Sequence, residues 1–458
     1  MKRIHLQGGT VVNSGSSVVA DVLIEDGCVV AIGKNLVVED AEAIDCAGRY
    51  VMPGGVDVHT HLDAPMMNTK TADDFASGTR AAAVGGTTTI VDFALQAKGQ
   101  KLEDALNGWH QKAIDKCAID YGFHVAITDL YDGAIADIEG LVRSGVTSMK
   151  IYMAYKGAIM LDDGEMYEVL RESGRLGAKT CVHAENGDVI DRISANLVAS
   201  GKTGPENHAL SRPPATEVEA VNRAIAVSRI ADAPIYFVHL STGGATEAVA
   251  EAQLNGWPVA GETCTHYLTL GPDLYDLPDF EAAKAVLTPP LRDSNHQEAL
   301  WRGLNNGTLG IVSSDHCPFC FVGQKDLGRH DFRAIPNGGA GIEDRMRVMY
   351  GTGVAGGRIS LEQFVALTST NPAKSFGMFP TKGFVGIGAD ADIIVLDPAA
   401  TTHISAATQH QALDYNLWEG WTLPGAITHV FSRGELIASN GRFVGREGHG
   451  NYLARSAV

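Results

Sequence analysis

The alternation of apolar and polar positions changes rhythm twice along this chain. Residues 1–52 run in short stretches of period two. Among them, residues 18–25 and 28–32 flank Asp26-Gly27, a dipeptide favoured in two-residue hairpin turns. A second short strand precedes Gly48-Arg49-Tyr50-Val51-Met52, and no long helical period occurs here. From residue 53, short apolar runs alternate with helical stretches, the rhythm of βα units on a parallel sheet. Eight runs end near His61, Phe93, Ala126, Met153, His183, His239, Glu262 and Asp315. Thr71-x-x-Asp74 predicts a helix start and Gly85-Gly86 its stop. After Pro213-Pro214, residues 216–230 predict a helix with Glu217 and Glu219 in its first turn. Beyond about residue 378 the β rhythm returns. Residues 391–397 read as a buried strand, and residues 427–432 and 435–438 flank Arg433-Gly434 as another hairpin.

Eight βα units predict an α/β fold, a closed (β/α)8 TIM-type barrel over residues 53–377, with its chemistry at the carboxyl ends of the strands. The β-rich ends, residues 1–52 and 378–458, predict one small β-sandwich-like domain beside the barrel. The wide gaps from His183 to His239 and from Glu262 to Asp315 must hold extra loops or helices, available to the substrate site. The Gly-rich tail, residues 445–458, is expected either to fray or to dock on a neighbouring subunit.

Length alone suggests about three domains for 458 residues, but one α/β barrel takes 250 or more. The net charge of −18 gives a surface that repels phosphate backbones and anionic lipid, so nucleic-acid and membrane partners are set aside. Residues 1–9 lack the apolar core of a secretion signal, and no apolar run is long enough to span a bilayer. Seven scattered cysteines, an odd number in a chain large enough to need no staples, point to a reduced, cytoplasmic setting.

The candidate chemistry lies at the strand ends. In Gly55-Val56-Asp57-Val58-His59-Thr60-His61, strict alternation puts Val56 and Val58 on one face and Asp57, His59 and His61 on the other. The two imidazoles then lie about 7 Å apart along the strand and can turn toward one metal ion. Lys150, His183, His239 and Asp315 sit at other strand ends. Singly, each has an ordinary explanation: a core histidine, a capping Asp, a snorkelling Lys. Four imidazoles, one carboxylate and one lysine at one barrel mouth have none jointly, and they suit Zn²⁺, Mn²⁺ or Co²⁺. A protonated Lys150 beside two dications would be repelled. It either stays a neutral amine or reacts with CO₂ to give a carbamate able to bridge two metals. The carbamate is favoured, because five other ligands are too few for two separate sites. Cys317-x-x-Cys320 reads as loop packing rather than a redox or zinc pair, and His266 and His316 are left out of the ligand set. Leu62, Met66, Met67, Phe93 and Leu95 are candidates for an apolar pocket around a ring substituent.

These residues, with Gly85-Gly86-Thr87-Thr88-Thr89, Met153-Ala154-Tyr155, His183-Ala184-Glu185-Asn186-Gly187, Glu262-Thr263-Cys264-Thr265-His266-Tyr267, Ser313-Ser314-Asp315-His316-Cys317 and Ile335-Pro336-Asn337-Gly338-Gly339, run nearly end to end. In them the chain resembles the amidohydrolase superfamily, and within it the hydantoinase/dihydropyrimidinase cyclic amidohydrolases, bacterial hydantoinases and L-selective ones included. The resemblance implies two divalent metals, zinc before manganese or cobalt. His59, His61 and Asp315 would hold one, His183 and His239 the other, with a carboxylated Lys150 (N6-carboxylysine) and a hydroxide between them. Asp315 would move the proton, Tyr155 would donate to the developing oxyanion, and backbone groups at Thr288 and Asn337 would bind the cyclic amide. Many relatives carry Ser at the position of Thr288. The implied reaction opens a hydantoin-type ring to an N-carbamoyl amino acid, in a homotetramer or dimer. Dihydropyrimidinase is the near alternative, with allantoinase and a non-catalytic scaffold further off. Dihydroorotase is disfavoured, because that family's carboxylate-binding Arg is Asp63 here.

Overall fold

The computed structural model describes residues 3–457. Its centre is an eight-stranded parallel sheet in chain order: Gly55–Thr60, Thr87–Leu95, Asp120–Ala126, Ser148–Tyr152, Lys179–His183, Ile235–Phe237, Val259–Cys264 and Ile311–Ser313. The seam between first and eighth strands is closed by a Thr60–His316 bridge and by the His61 amide donating to the His316 carbonyl at 2.8 Å. Val56, Val58, Val91, Cys181, Tyr236, Val238 and Ile311 come from strands around the whole ring yet form one buried cluster, so they fill the barrel interior. The eight strands end within two residues of where the apolar runs predicted.

The first strand departs from strict alternation. Its pairing moves from Asp57–Ile90 to Thr60–Asp92, three residues against two, which is a bulge. Val56 and Val58 therefore face the interior, as do His59 and His61. Asp57 turns away, accepting from the Ser314 amide at 3.2 Å and facing Arg345.

The helix Phe75–Val84 starts one turn later than the Thr71 motif predicts. Asp74 caps it and Ser77 reciprocates, whereas Thr71 receives the Ala64 amide instead. Gly85 ends this helix as expected. The helix Pro214–Ile230 gains its first two residues from Pro214, which needs no amide partner at a helix start. The His183–His239 gap holds Gly187–Ala199, Asn207–Ser211 and Pro214–Ile230, and the Glu262–Asp315 gap holds Ser294–Asn305 among shorter turns.

The chain ends meet in one continuous nine-stranded mixed sheet, with Tyr50–Pro53 paired to both Arg3–Asn13 and Ile393–His403. The Asp26-Gly27 and Arg433-Gly434 turns both carry the positive φ angles of a tight hairpin. This sheet has its own core, including Leu6, Val22, Ile24, Val51, Ile393 and Phe431. Over its described residues, 445–457, the tail packs on the chain's own barrel: Tyr452 bridges Tyr121 on the third barrel strand, and buried Arg455 donates to the Ser148 hydroxyl at 2.9 Å.

Candidate active site

The residues singled out from the sequence line one cavity of 420 Å³ at the carboxyl ends of the barrel strands. His59, His61, Lys150, Tyr155, His183, His239, Thr288, Asp315 and Asn337 all face it. Asp315 Oδ1 lies 3.1 Å from His59 Nε2 and 3.4 Å from His61 Nε2. His183 Nδ1 and His239 Nε2 face each other at 2.9 Å. Lys150 is buried between these pairs, its Nζ over the rings of Phe93 and Tyr152.

Carboxylates behind the histidines decide which nitrogen faces the cavity. Glu262, at 2.5 Å, takes His59 Nδ1 and also accepts the Tyr236 hydroxyl at 2.9 Å. Glu185, at 2.8 Å, takes His183 Nε2 and is held by Arg212 at 2.7 Å. Such partners fix tautomer and ring orientation at metal centres. Sequence reasoning left Glu185, Arg212 and Tyr236 out and gave Glu262 no role beyond a strand end. The signals available were Glu185 inside the His183 motif and Glu262 at a strand end.

The electrostatics fit a cationic occupant. Burial opposes charge on His59, yet Asp315 and Glu262 outweigh it and lift the pKa to about 9. The positive charge drawn to that spot is what a metal ion would supply. Burial holds His61 down at about 4 and His183 and His239 below the usual range, so these imidazoles are neutral, as ligation requires. Burial disfavours the Asp315 anion, but His59 and His61 hold it well below the usual carboxylate range. Among the described residues, buried His59 Nε2 makes no aligned hydrogen bond although Asp315 Oδ1 lies 3.1 Å away, which leaves that nitrogen open to another partner. The donor atoms of His59, His61 and Asp315 lie within 4.8 Å of one another. The donor set thus fits metal ions.

Tyr155, His239 and Asp315 take positive φ angles of 69°, 40° and 45°. Backbone strain of this kind in non-glycine residues gathers at functional sites. The Tyr155 ring lies against His183, and burial pushes its phenol up to about 12, so it stays a proton donor.

The apolar wall of the cavity is built from a different set of residues than expected. Met66, Met67 and Leu95 line the cavity, joined by Ile159. Leu62 packs under Gly78, and Phe93 lies beneath His59 and His61, stacked on His124. Cys317 and Cys320 are free thiols. The first touches Met66 and the second faces the Ala412 carbonyl. His316 is held by Asp73 at 3.0 Å, away from the ligand set. His266 forms a second possible donor group with Cys264 and Asp315, packed against Tyr267.

Residues 50–437 match the model of the amidohydrolase family. The chain belongs to the amidohydrolase family. It is 48% identical to a D-hydantoinase of Geobacillus stearothermophilus, over 98% of this chain and 96% of the relative. A crystal structure of dihydropyrimidinase from Brevibacillus agri superposes with a TM-score of 0.98 at 49% identity, covering 99% of each chain. A structure of L-hydantoinase (dihydropyrimidinase) from Arthrobacter aurescens aligns with a TM-score of 0.90 at 28% identity, over 99% of this chain and 100% of that one. As an amidohydrolase, the chain is a hydrolase of cyclic amides. Among its described residues no helix is long and apolar enough to cross a membrane.

Proposed function

We propose that this amidohydrolase opens hydantoin-type rings to N-carbamoyl amino acids, at a two-metal site held by His59, His61, Asp315, His183, His239 and a carboxylated Lys150. The observation that carries the reading is the convergence of all six, with Tyr155, Thr288 and Asn337, on one cavity. The relatives' names support the ring chemistry. The 48% likeness to a D-hydantoinase against 28% to an L-hydantoinase supports a preference for D-substituted rings.

Two divalent ions, zinc by preference, would supply Lewis acidity and a water of lowered pKa. The chain's own residues do the rest. Burial holds Lys150 down at about 8, which makes the free amine available to take up CO₂ as a carbamate with loss of a proton. Main-chain groups of Thr288 and Asn337 hold the ring amide. Asp315 takes the proton from the attacking water and passes it to the ring nitrogen as the C–N bond breaks. Tyr155 donates to the carbonyl oxygen as negative charge builds there, the contribution usually largest in acyl transfer. Met66, Met67, Leu95 and Ile159 offer the ring substituent an apolar wall. Seven free thiols support a reducing, cytoplasmic setting, and the family resemblance supports a homotetramer.

Dihydropyrimidinase activity is the second reading, favoured by the Brevibacillus agri likeness. The test is turnover of D- and L-5-substituted hydantoins and dihydrouracil, with metal content measured on the same sample. Faster D-hydantoin opening by enzyme with two metals per chain is expected. Faster dihydrouracil opening selects the second reading. Metal-loaded enzyme that opens neither ring refutes both. Lys150→Ala should lose metal and turnover together, and full turnover with two metals in that variant refutes the carbamate.

A further inference from the structure

We propose that Lys325 is a positioning residue that straps the loop carrying Thr288 to the loop carrying Asn337. The proposal rests on the ring-binding role given above to those two segments. Lys325 lies in the turn Lys325–Gly328, in the excursion after the eighth barrel strand, and its side chain is fully buried. Its Nζ donates to the Val286 carbonyl at 2.8 Å and to the Pro336 carbonyl at 3.0 Å. Val286 stands two residues before Thr288, and Pro336 directly precedes Asn337.

The surrounding bonds show what the strap completes. The Gly338 amide donates to the same Val286 carbonyl at 3.1 Å. His208 Nε2 lies 2.8 Å from the Leu287 carbonyl, and the Tyr267 hydroxyl donates to the Pro289 carbonyl at 2.6 Å. The carbonyls of Val286, Leu287 and Pro289 are therefore all engaged. Among the described residues, that of Thr288 is the one in this run left without a partner, in a residue that lines the cavity.

A lysine is a costly choice for such a place. Among the described residues no carboxylate pairs with it, and burial holds its pKa down at about 7. A methionine of similar length would fill the space without that penalty. What the amine adds is several donors on one atom, enough to hold two carbonyls from loops 50 residues apart in sequence. The main-chain groups that grip the ring are thus fixed relative to each other before substrate arrives, which lowers the cost of binding.

The test uses full-length, metal-loaded enzyme with hydantoin and dihydrouracil. Lys325→Met should raise KM for both rings by about tenfold or more, the scale of losing buried hydrogen bonds, with kcat within about threefold and metal content unchanged. Lys325→Gln, whose amide keeps two N–H donors, should recover most of the KM. An unchanged KM in Lys325→Met, or a fall in kcat together with metal loss, overturns the proposal. So does a failure of both variants to fold, which would make the lysine an element of stability. If the wild-type enzyme opens neither ring, the functional reading falls first, before any variant is made, and the inference falls with it.

Discussion

Glu262 and Glu185 commit one nitrogen each of His59 and His183, and so aim the other at the cavity. A Glu262→Gln variant keeps the shape but gives His59 a less basic setting. Its metal affinity should fall roughly 10- to 100-fold, the usual cost of losing such a partner, as read by chelator competition. An unchanged affinity would make Glu262 a packing residue. Tyr155 is separable from the ligands, because its hydroxyl is a donor and its strained backbone places it against His183. Tyr155→Phe should lower kcat by about 10²–10³ with metal content intact, as expected for one oxyanion donor. A parallel loss of metal would instead assign it to holding the site together.

At the scale of elements, the proposed ligands sit in the barrel strands or just beyond their ends, and the loops that follow would set specificity. The Asn337 loop lies so close to the eighth-strand extension that a Cβ on Gly338 would sit 2.2 Å from the Cys317 carbonyl oxygen. Gly338→Ala must push that loop outward and move Asn337 with it. Its KM should rise for every ring tested while metal content stays whole, a split that steady-state kinetics on one metal-analysed sample would reveal. This scale also shows where local reading stops. The Thr71 motif has the letters of a capping box, but Asp74 and Ser77 form a better one and leave Thr71 to the Ala64 amide. The bulge in the first strand is invisible to a period-two pattern, because it is imposed by pairing with the second strand. It is also what lets Val58 and His59, adjacent in sequence, both face inward.

For the whole molecule, the junction between barrel and terminal sheet is electrostatic as well as apolar. Buried Lys382 reaches Asp120 on the third barrel strand at 2.5 Å, and Asp390 and Asp392 before the strand Ile393–His403 at 2.8 Å each. Burial alone would lower its pKa, but Asp392 and Asp390 outweigh that and raise it. A raised lysine contributes stability that is full below its unfolded value near 10.5 and is lost as pH climbs through the folded value. Lys382→Met leaves Asp390 and Asp392 without their cation, while Asp120 keeps Arg433, and should cost about 3 kcal/mol at neutral pH. Denaturant unfolding at pH 7 and above pH 11 checks this, with the gap between variant and wild type expected to narrow at the higher pH.

What the sequence determined by itself was whatever depends on near neighbours. The period of its apolar positions marked eight strands and two β-rich ends, and the strand ends marked the candidate ligands except Lys150, which stands in the middle of the strand Ser148–Tyr152. Those signals are local, because a strand buried on both faces must be apolar for its whole length and a ligand must sit where the strand leaves the core. The tertiary structure alone decided what depends on distant partners: Glu262 behind His59, 203 residues away, Arg212 behind Glu185, and Lys325 beneath Val286 and Pro336. Each of those side chains is a common surface type in sequence. Closure of the barrel removes them from water, and a buried polar group must then find its partner wherever the fold has placed one.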